Sequence, residues 1–229
     1  KLAKLRRGWT CSRHELWLYG VCFLHQILRV IMEIDFYWDP GSTNTYFAWH
    51  LLKPIASKFK AEICPQPFNL GFVFRSHNYV LMDEPAAKMR NRRDDLMRWA
   101  KKNQLPFRVP DIFPIKTSRI LRGALASRTW QKEIPFMEEI FRRYWEHNDA
   151  SVATDEGLMI IARVLGMPEN EYYDLFTSDA IGTQLRACTQ HGLDKGVFGA
   201  PTLVIENEIY WGKDRMEFVA EHLQRMSAD

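Results

Sequence analysis

The feature that most constrains this chain is a proline at the mouth of an apolar strand, in the stretch Gly199 to Thr202. An alternating apolar run continues to Ile205, and Trp211 to Arg215 follows shortly afterwards. Proline cannot donate to a strand ladder, so Pro201 is expected at an edge or a bulge. A cis bond before it would fix a tight turn and leave the backbone polar groups of Ala200 free for a ligand. The sequence therefore predicts that the Ala200 backbone pairs with a bound peptide.

The composition indicates a globular chain with a small positive charge. Its 229 residues are 46% hydrophobic and 13% aromatic, which is enough for one large domain or two small ones. Lysine and arginine exceed aspartate and glutamate by only 31 to 28. So small a surplus, without a clustered basic patch, argues against a nucleic-acid partner.

The four cysteines form no recognisable motif. They lie at Cys11, Cys22, Cys64 and Cys188, with no C-x-x-C pair and no histidine-rich cluster of metal-ligand spacing. The spacing therefore predicts neither a metal site nor a dithiol redox centre. Scattered thiols are typical of buried, reduced cysteines, which favours the cytoplasm or the matrix of an organelle.

Residues 1–31 are interpreted as an extension ahead of the domain. Lys1 to Arg13 is basic and Leu16 to Leu24 is a short apolar run, as at the start of a signal peptide. No small-residue cleavage site follows, and the run is well below the roughly 18 apolar residues of a membrane span. Met32 directly precedes a plausible first strand, so we expect it to be the natural start, with a targeting role for the extension as the alternative.

The pattern that follows predicts a strand, a helix and a second strand. β-branched and aromatic residues alternate with acidic ones from Ile31 to Trp38, ahead of the breaker Asp39 to Gly41. Ser42 then opens a helix, and the next strand, Ala61 to Phe68, contains two prolines that place it near an edge. A β-α-β order requires a parallel strand pair joined by a right-handed crossover.

The middle of the chain is predicted to be helical and the end returns to strands. Candidate helices are Pro85–Lys102, Ser118–Gln131, Ile134–His147, Asp155–Leu165 and Asp179–Gly192. Strands Thr202–Ile205 and Ile209–Trp211 then form a hairpin ahead of a terminal helix, Asp214–Met226. The fold class is therefore α/β, a β-α-β unit and a β-β-α unit split by a large all-helical insertion. We expect the sheet domain to comprise residues 32–75 and 193–229 and the helical domain to comprise residues 76–192.

These pieces resemble the 2-hydroxychromene-2-carboxylate isomerases and the related kappa-class glutathione transferases. The most specific matches are two blocks near the end of the chain, Gly196–Thr202 and Tyr210–Arg215. Further matches are Ile34–Ser42, Lys88 with Asp95, Arg98–Ala100, and Pro110 with Phe113 and Pro114. The resemblance implies a thioredoxin-like fold with an inserted helical domain, glutathione as cofactor and, as in related enzymes, a homodimer. The chain departs from the family pattern at Thr43, Asn91, Lys116 and Lys213.

The resemblance places the functional serine on Ser42, where thiol oxidoreductases of this fold carry cysteine. Lowering a thiol pKa from about 8.5 to about 6.5 requires roughly 2.7 kcal/mol. A helix N-terminus supplies about 0.3–1 kcal/mol, whereas a hydroxyl donating to a thiolate adds about 1.5–3 kcal/mol. Ser42 is therefore expected to stabilise a glutathione thiolate, and the alternative is that it only caps its helix.

The same resemblance assigns the other glutathione contacts. The cofactor-binding residues would be Ser42, Ala200, Pro201, Trp211, Gly212, Lys213 and Asp214. Asp214 would receive the γ-glutamyl amino group, and N–H groups of the last helix would receive the adjoining carboxylate. On sequence alone, an aspartate at this position can equally well cap that helix.

Four residues are assigned to the substrate by the resemblance: Lys88, Asn91, Phe113 and Pro114. Lys88 would stabilise developing negative charge, although a lysine on so basic a helix is more often a solvated surface residue. Phe113 and Pro114 would line the acceptor pocket, and their alternative is an ordinary role in core and loop.

For the isomerases, the resemblance implies that the glutathione thiolate adds to a ring-opened chromene acid, permits rotation about the former double bond, and leaves again. The expected substrates are aromatic acids similar to 2-hydroxychromene-2-carboxylate. One alternative is a kappa-type transferase or peroxidase that consumes glutathione on an electrophilic substrate. The others are a dithiol oxidoreductase and a non-catalytic glutathione-binding module. Ser42 to Thr45 in place of C-x-x-C argues against the dithiol enzyme.

Overall fold

A computed structural model describes residues 32–80 and 84–228 of the protein. The predictions for residues 1–31, including Cys11 and Cys22, lie outside the described residues. Cys64 and Cys188 are both free thiols. Within the described ranges, no helix has both the length and the apolar character that crossing a membrane requires.

A mixed sheet of four strands forms the base of the fold. β1 (Glu33–Trp38) pairs in parallel with β2 (Glu62–Pro67), and helix α1 (Thr43–Phe59) connects them. β3 (Thr202–Ile205) runs antiparallel to β1 and to β4 (Glu208–Trp211). The strand order is β2-β1-β3-β4. The predicted parallel β-α-β unit and the edge position of the second strand are therefore confirmed.

Helices fill the chain between β2 and β3 and close its described part. They are α2 (Leu70–Ser76), α3 (Ala86–Lys102), α4 (Ser118–Ser127), α5 (Glu133–Phe141), α6 (Asp155–Val164), α7 (Glu169–Thr177), α8 (Asp179–Asp194) and α9 (Met216–Ala228). Short 3-10 turns at Arg128–Trp130 and Ala150–Ala153 and a π turn at Arg142–Glu146 join some of them. The large helical insertion predicted from the sequence is thus present.

Some predicted helix boundaries are wrong. The helix expected to reach Gln131 ends at Ser127, because the chain tightens into a 3-10 turn and Gln131 itself is left-handed, with φ of 58°. The terminal helix begins at Met216 and not at Asp214. The sequence pattern did not predict α2 and α7. A local signal for α2 was present, since the Asn69 side chain caps it by accepting from Phe72 N–H at 3.1 Å.

Apolar residues are buried on both faces of the central strands β1 and β3. Ile34, Phe36 and Trp38 of β1 join a large aromatic and aliphatic core that continues through the helical insertion. Tyr37 belongs to a smaller cluster on the other face of β1, where its ring packs edge-on against Phe68 with 6.0 Å between the ring centroids. Burying a large apolar side chain contributes about 1.5–3 kcal/mol, so this shared core ties sheet and insertion together. The division into two domains stays a prediction.

Candidate active site

Ser42 stands at the N-terminus of α1 without capping it. Its backbone is extended, with φ of −92° and ψ of 118°, and its side chain makes no capping hydrogen bond. Instead, the Ser42 hydroxyl donates to the carbonyl oxygen of Ala200 at 2.9 Å. The alternative that Ser42 merely caps its helix is therefore not realised, and the first turn of α1 keeps N–H groups without a capping side chain.

The peptide bond between Ala200 and Pro201 is cis, and Ala200 is 9% exposed. The expected edge or bulge position of Pro201 is wrong, because it directly precedes β3, which lies between β1 and β4. Proline fits there because Thr202 is the first residue of β3 in the ladder. The Pro201 carbonyl accepts from Gly212 N–H at 3.0 Å, which links this turn to the end of β4.

A cavity of about 950 Å³ lies beside Ser42 and Ala200, a size at the upper end of small-molecule sites. Its apolar lining includes Val73, Phe74, Leu96, Val109, Phe113 and Trp145. Its basic lining includes Lys88, Arg90, Arg92 and Arg93, all on α3, and His77. Five of the residues predicted for the site line this cavity: Ser42, Lys88, Phe113, Ala200 and Trp211.

Lys88 is engaged in a salt bridge at the cavity. Its Nζ lies 3.0 Å from Glu84 Oε1, and Arg92 pairs with the other oxygen of the same carboxylate. The Lys88 side chain is 63% exposed, whereas that of Glu84 is 13% exposed. The hydrogen bond from Lys88 lowers the pKa of the Glu84 carboxyl. A substrate anion that reached Lys88 would therefore have to compete with Glu84.

The other predicted substrate residues are not brought together. Phe113 lines the cavity, with its ring centroid 6.0 Å from that of Trp145. Pro114 follows it through a cis peptide bond but is not part of the cavity lining. Asn91 is exposed on α3 and is also absent from that lining. Substrate contacts of Asn91 and Pro114 stay predictions.

Two of the predicted glutathione residues have packing partners of their own. The Trp211 ring is half-exposed and lies 5.2 Å from the ring of Phe198. Lys213 Nζ lies 4.9 Å from the ring centroid of Trp99 and 3.8 Å from Asp95 Oδ2. With its side chain only 12% exposed, Lys213 ties the segment after β4 to α3.

The remaining residues that the resemblance assigns to glutathione form a tight turn after β4. Gly212 has a positive φ of 107°, and a Cβ there would come within 2.8 Å of Asp214 Oδ1, so only glycine fits. The Asp214 carboxylate accepts from Arg215 Nη1 at 2.9 Å. Gly212, Lys213 and Asp214 do not line the cavity, so their contacts with glutathione stay predictions.

Asp39 is a buried acid beside the site that sequence analysis treated only as a breaker. It is 1% exposed, and Oδ1 accepts from Gly41 N–H at 2.8 Å. Its Oδ2 accepts from Leu70 N–H at 3.0 Å and from the Thr117 hydroxyl at 2.9 Å. Burial raises the pKa of Asp39 to about 6, against the opposing effect of these hydrogen bonds. The local sequence gives no signal of this burial, because α2 and the start of α4 provide it.

The two described cysteines are not activated thiols. Burial raises the pKa of Cys64 to about 11 and also raises the pKa of Cys188. Reactive cysteines in proteins have lowered pKa values. Neither residue lines the cavity at Ser42. In the described part of the chain, the site therefore offers a hydroxyl where a dithiol enzyme would need a thiol.

Curated relatives are consistent with this architecture. The 2-hydroxychromene-2-carboxylate isomerase of Pseudomonas sp. (strain C18) is 25% identical over 206 residues, which cover 86% of this chain and 92% of that protein. The protein of the same name from Sphingobium xenophagum is 27% identical over 192 residues, covering 83% and 97%. Glutathione S-transferase kappa 1 of Caenorhabditis elegans is 24% identical over 211 residues, covering 84% and 91%. The resemblance predicted from the sequence is therefore confirmed.

Solved structures share the fold. A 2-hydroxychromene-2-carboxylate isomerase superposes with a TM-score of 0.74 at 24% identity, covering 85% of this chain and 96% of its own. The cytosolic disulfide reductase DsbM of Pseudomonas aeruginosa, solved with GSH, gives 0.59 at 15% identity, covering 84% and 100%. The predicted thioredoxin-like α/β fold is confirmed. Since residues 33–224 match the family described as "DSBA-like thioredoxin domain", the chain belongs to that family.

Proposed function

We propose that this protein is a glutathione-dependent isomerase of aromatic acids similar to 2-hydroxychromene-2-carboxylate. The observation that carries the proposal is the Ser42 hydroxyl, which lies 2.9 Å from the Ala200 carbonyl at the start of α1 and lines a cavity of about 950 Å³. The two relatives named as such isomerases, at 25% and 27% identity, support it.

The residues at this place fit glutathione. Ser42 would hold the sulfur, the Ala200 backbone would pair with the peptide, and Trp211 to Asp214 would hold the γ-glutamyl end. The first turn of α1 has no capping side chain, so its N–H groups can serve an anion. Bound glutathione supplies a thiolate nucleophile that adds reversibly to a conjugated substrate. The kappa-class relative and the fold shared with DsbM, which was solved with GSH, support this cofactor.

Ser42 can serve an anion because its single hydroxyl proton can be redirected. A serine hydroxyl donates one hydrogen bond, and here Ala200 receives it. Rotation of the Ser42 side chain would turn that donor to a sulfur anion, while a peptide N–H takes its place at the Ala200 carbonyl. Since such an exchange leaves neither group unpaired, it costs little free energy.

The rest of the cavity suits an aromatic acid. Phe113 and Trp145 provide apolar surface for a ring, and α3 provides cations. Lys88 would stabilise the negative charge that develops on the substrate during addition. A substrate carboxylate would compete with Glu84 for Lys88 and Arg92, the two cations that Glu84 pairs with in this structure.

A kappa-type transferase is the second candidate, and Glu84 is the observation that favours it. Because Glu84 engages Lys88 and Arg92, the cavity presents less net positive charge than its basic residues suggest. An uncharged electrophile needs no free cation there. The transferase named kappa 1 at 24% identity supports this alternative.

Measuring the total amount of glutathione during turnover tests the proposal. The protein is titrated with reduced glutathione by calorimetry and then assayed on 2-hydroxychromene-2-carboxylate with glutathione far below the substrate concentration. An isomerase continues to many turnovers with total glutathione unchanged, whereas a transferase loses one glutathione per product and stops. Absence of glutathione binding would refute both candidate functions. The protein would then share the fold of these enzymes but not their use of glutathione.

The compartment and the assembly complete the proposal. A reducing compartment, either the cytoplasm or an organellar matrix, suits the free Cys64 and Cys188 and would also provide reduced glutathione. A homodimer, as implied by the family, would appear in sedimentation equilibrium as a mass near twice the 27.0 kDa of the chain.

A further inference from the structure

We propose that Asp39 is a positioning residue that holds the Ser42 backbone where the Ser42 hydroxyl can reach the glutathione sulfur. The inference rests on the proposed function, since it concerns the same site. Asp39 would not touch the cofactor and would act through the short loop that carries Ser42.

The Asp39 carboxylate joins three segments that surround the site. One oxygen accepts from Gly41 N–H, within the loop between β1 and α1. The other accepts from Leu70 N–H, at the start of α2, and from the hydroxyl of Thr117, which precedes α4. The Asp39 backbone carbonyl also accepts from Ser42 N–H at 3.1 Å. Ser42 is therefore held by a residue three positions earlier that is itself anchored to α2 and α4.

The loop between Asp39 and Ser42 has little freedom to shift. The Pro40 carbonyl accepts from Trp145 Nε1 at 3.1 Å. A Cβ at Gly41 would lie 3.0 Å from Thr117 Cγ2 and 3.2 Å from Asp39 Oδ1, so the backbone is packed directly against this pair. Each residue of the loop is thus fixed by a different contact, which leaves the Ser42 side chain as the part that can turn toward the cavity.

Burying a carboxylate to anchor a loop is energetically unfavourable. Asp39 is 1% exposed, and none of the ion pairs within residues 32–80 and 84–228 involves it. Removing a charge from water without a counter-ion is unfavourable, and the raised pKa of about 6 reflects that cost. Acids with strongly perturbed pKa values cluster at functional sites. The position of Asp39, three residues before Ser42, fits this pattern.

Two substitutions separate positioning from simple electrostatics. Asp39→Asn keeps the side-chain shape but replaces one accepting oxygen by an N–H₂ group that faces donors. Thr117→Val removes one donor and keeps the Asp39 carboxyl group. The control is Asp149→Asn, because Asp149 also accepts from a backbone N–H, that of Ser151 at 3.0 Å, and does not line the cavity.

The measurement is the pKa of the glutathione thiol bound to each protein, from the ultraviolet absorbance of the thiolate against pH. Loss of positioning shifts this pKa upward, by about one unit for Asp39→Asn and by less for Thr117→Val. Removal of a nearby negative charge alone would shift it downward, so the sign decides. Amide hydrogen exchange of residues 41–45 gives a second readout and should become faster in both variants but not in Asp149→Asn.

Faster exchange together with a raised thiol pKa supports the inference. Faster exchange with an unchanged or lowered thiol pKa overturns it, since Asp39 would then serve the fold alone. Should Asp39→Asn fail to fold, Thr117→Val decides by the same signs. If the unsubstituted protein shows no thiolate at all, the proposed function fails first, and the role of Asp39 toward the sulfur fails with it.

Discussion

Ser42 and Ala200 are joined by a 2.9 Å hydrogen bond although 158 positions separate them in the chain. The bond connects the start of α1 to the turn ahead of β3, the two places where the resemblance located the glutathione sulfur and its peptide backbone. The whole helical insertion lies between them in sequence. Closure of this contact therefore depends on the complete fold, and the site forms only when both halves of the sheet are in register.

Ser42→Ala should raise the pKa of the bound glutathione thiol. A hydroxyl donor to an anion contributes about 1.5–3 kcal/mol, which corresponds to an upward shift of about one to two units. Titration of the thiolate absorbance measures it. Ser227→Ala is the matched control, because that hydroxyl donates to the Leu223 carbonyl at 2.7 Å on α9. An equal thiol pKa in Ser42→Ala and Ser227→Ala would show that Ser42 is not the donor.

Glu84→Gln should lower the KM for an aromatic carboxylate. The substitution releases Lys88 from its salt bridge and weakens the hold on Arg92. Exposed ion pairs contribute at most about 1 kcal/mol, so the expected decrease is about two- to fivefold and should shrink in high salt. Glu169→Gln, which breaks the exposed 2.7 Å pair with Arg163, should leave KM unchanged. A higher KM in Glu84→Gln would instead indicate that Glu84 itself holds the substrate.

The sequence was informative wherever a local pattern decides the structure. The alternating run that ends at Trp38 and the terminal hairpin gave the sheet, and the block from Gly199 to Thr202 led to a turn that meets Ser42. Boundaries failed where tertiary packing decides, as at Ser127, which ends α4 within the core. The short helix α2 was not predicted because its composition is mixed, although Asn69 marks its start.

The site was harder to predict than the fold, because its chemistry depends on contacts between distant segments. The pairing of Lys88 with Glu84 and the burial of Asp39 by α2 and α4 cannot be inferred from local sequence. Conversely, the resemblance assigned Lys213 to glutathione, whereas in the structure its charge packs against Trp99. The contacts of these side chains therefore had to come from the structure, and the roles that the resemblance assigns to them stay predictions.

Gly199→Ala should weaken glutathione binding with little loss of stability, whereas Gly157→Ala should lower stability without weakening glutathione binding. A Cβ at Gly199 would meet Trp211 Nε1 at 2.8 Å, but the Trp211 ring is 51% exposed and can move aside. The substitution should therefore weaken glutathione binding several-fold while changing the free energy of unfolding by only about 0.5 kcal/mol.

At Gly157, by contrast, a Cβ would lie 1.9 Å from the Ser151 backbone oxygen, which cannot yield without moving the start of α6. Gly157→Ala should cost about 1–3 kcal/mol of stability and leave the glutathione affinity of the folded protein unchanged. Urea unfolding and calorimetry on both variants check the pair. Normal affinity in Gly199→Ala would show that Trp211 does not contribute to glutathione binding, and an equal loss of affinity in Gly157→Ala would show that affinity only follows stability.

Asp39 should make the folded protein relatively more stable as the pH falls from about 6 to about 4. Its folded pKa, about 6, lies above the ordinary aspartate value of 3.8, so in this range the folded state binds the proton more tightly than the unfolded state does. Above pH 6 the carboxylate is ionised in both states and the full penalty of burying it is present. A difference of roughly two units corresponds to about 3 kcal/mol.

The groups that face this carboxylate are the N–H groups of Gly41 and Leu70 and the Thr117 hydroxyl, none of which titrates in that range. The free energy of unfolding of the unsubstituted protein minus that of Asp39→Asn should therefore rise by about 2 kcal/mol between pH 7 and pH 4. Urea unfolding at a series of pH values measures it, and other carboxylates cancel in the difference. A difference that stays constant would mean that Asp39 titrates normally. The burial of its charge would then not be unfavourable, and it would no longer support a role of Asp39 at Ser42.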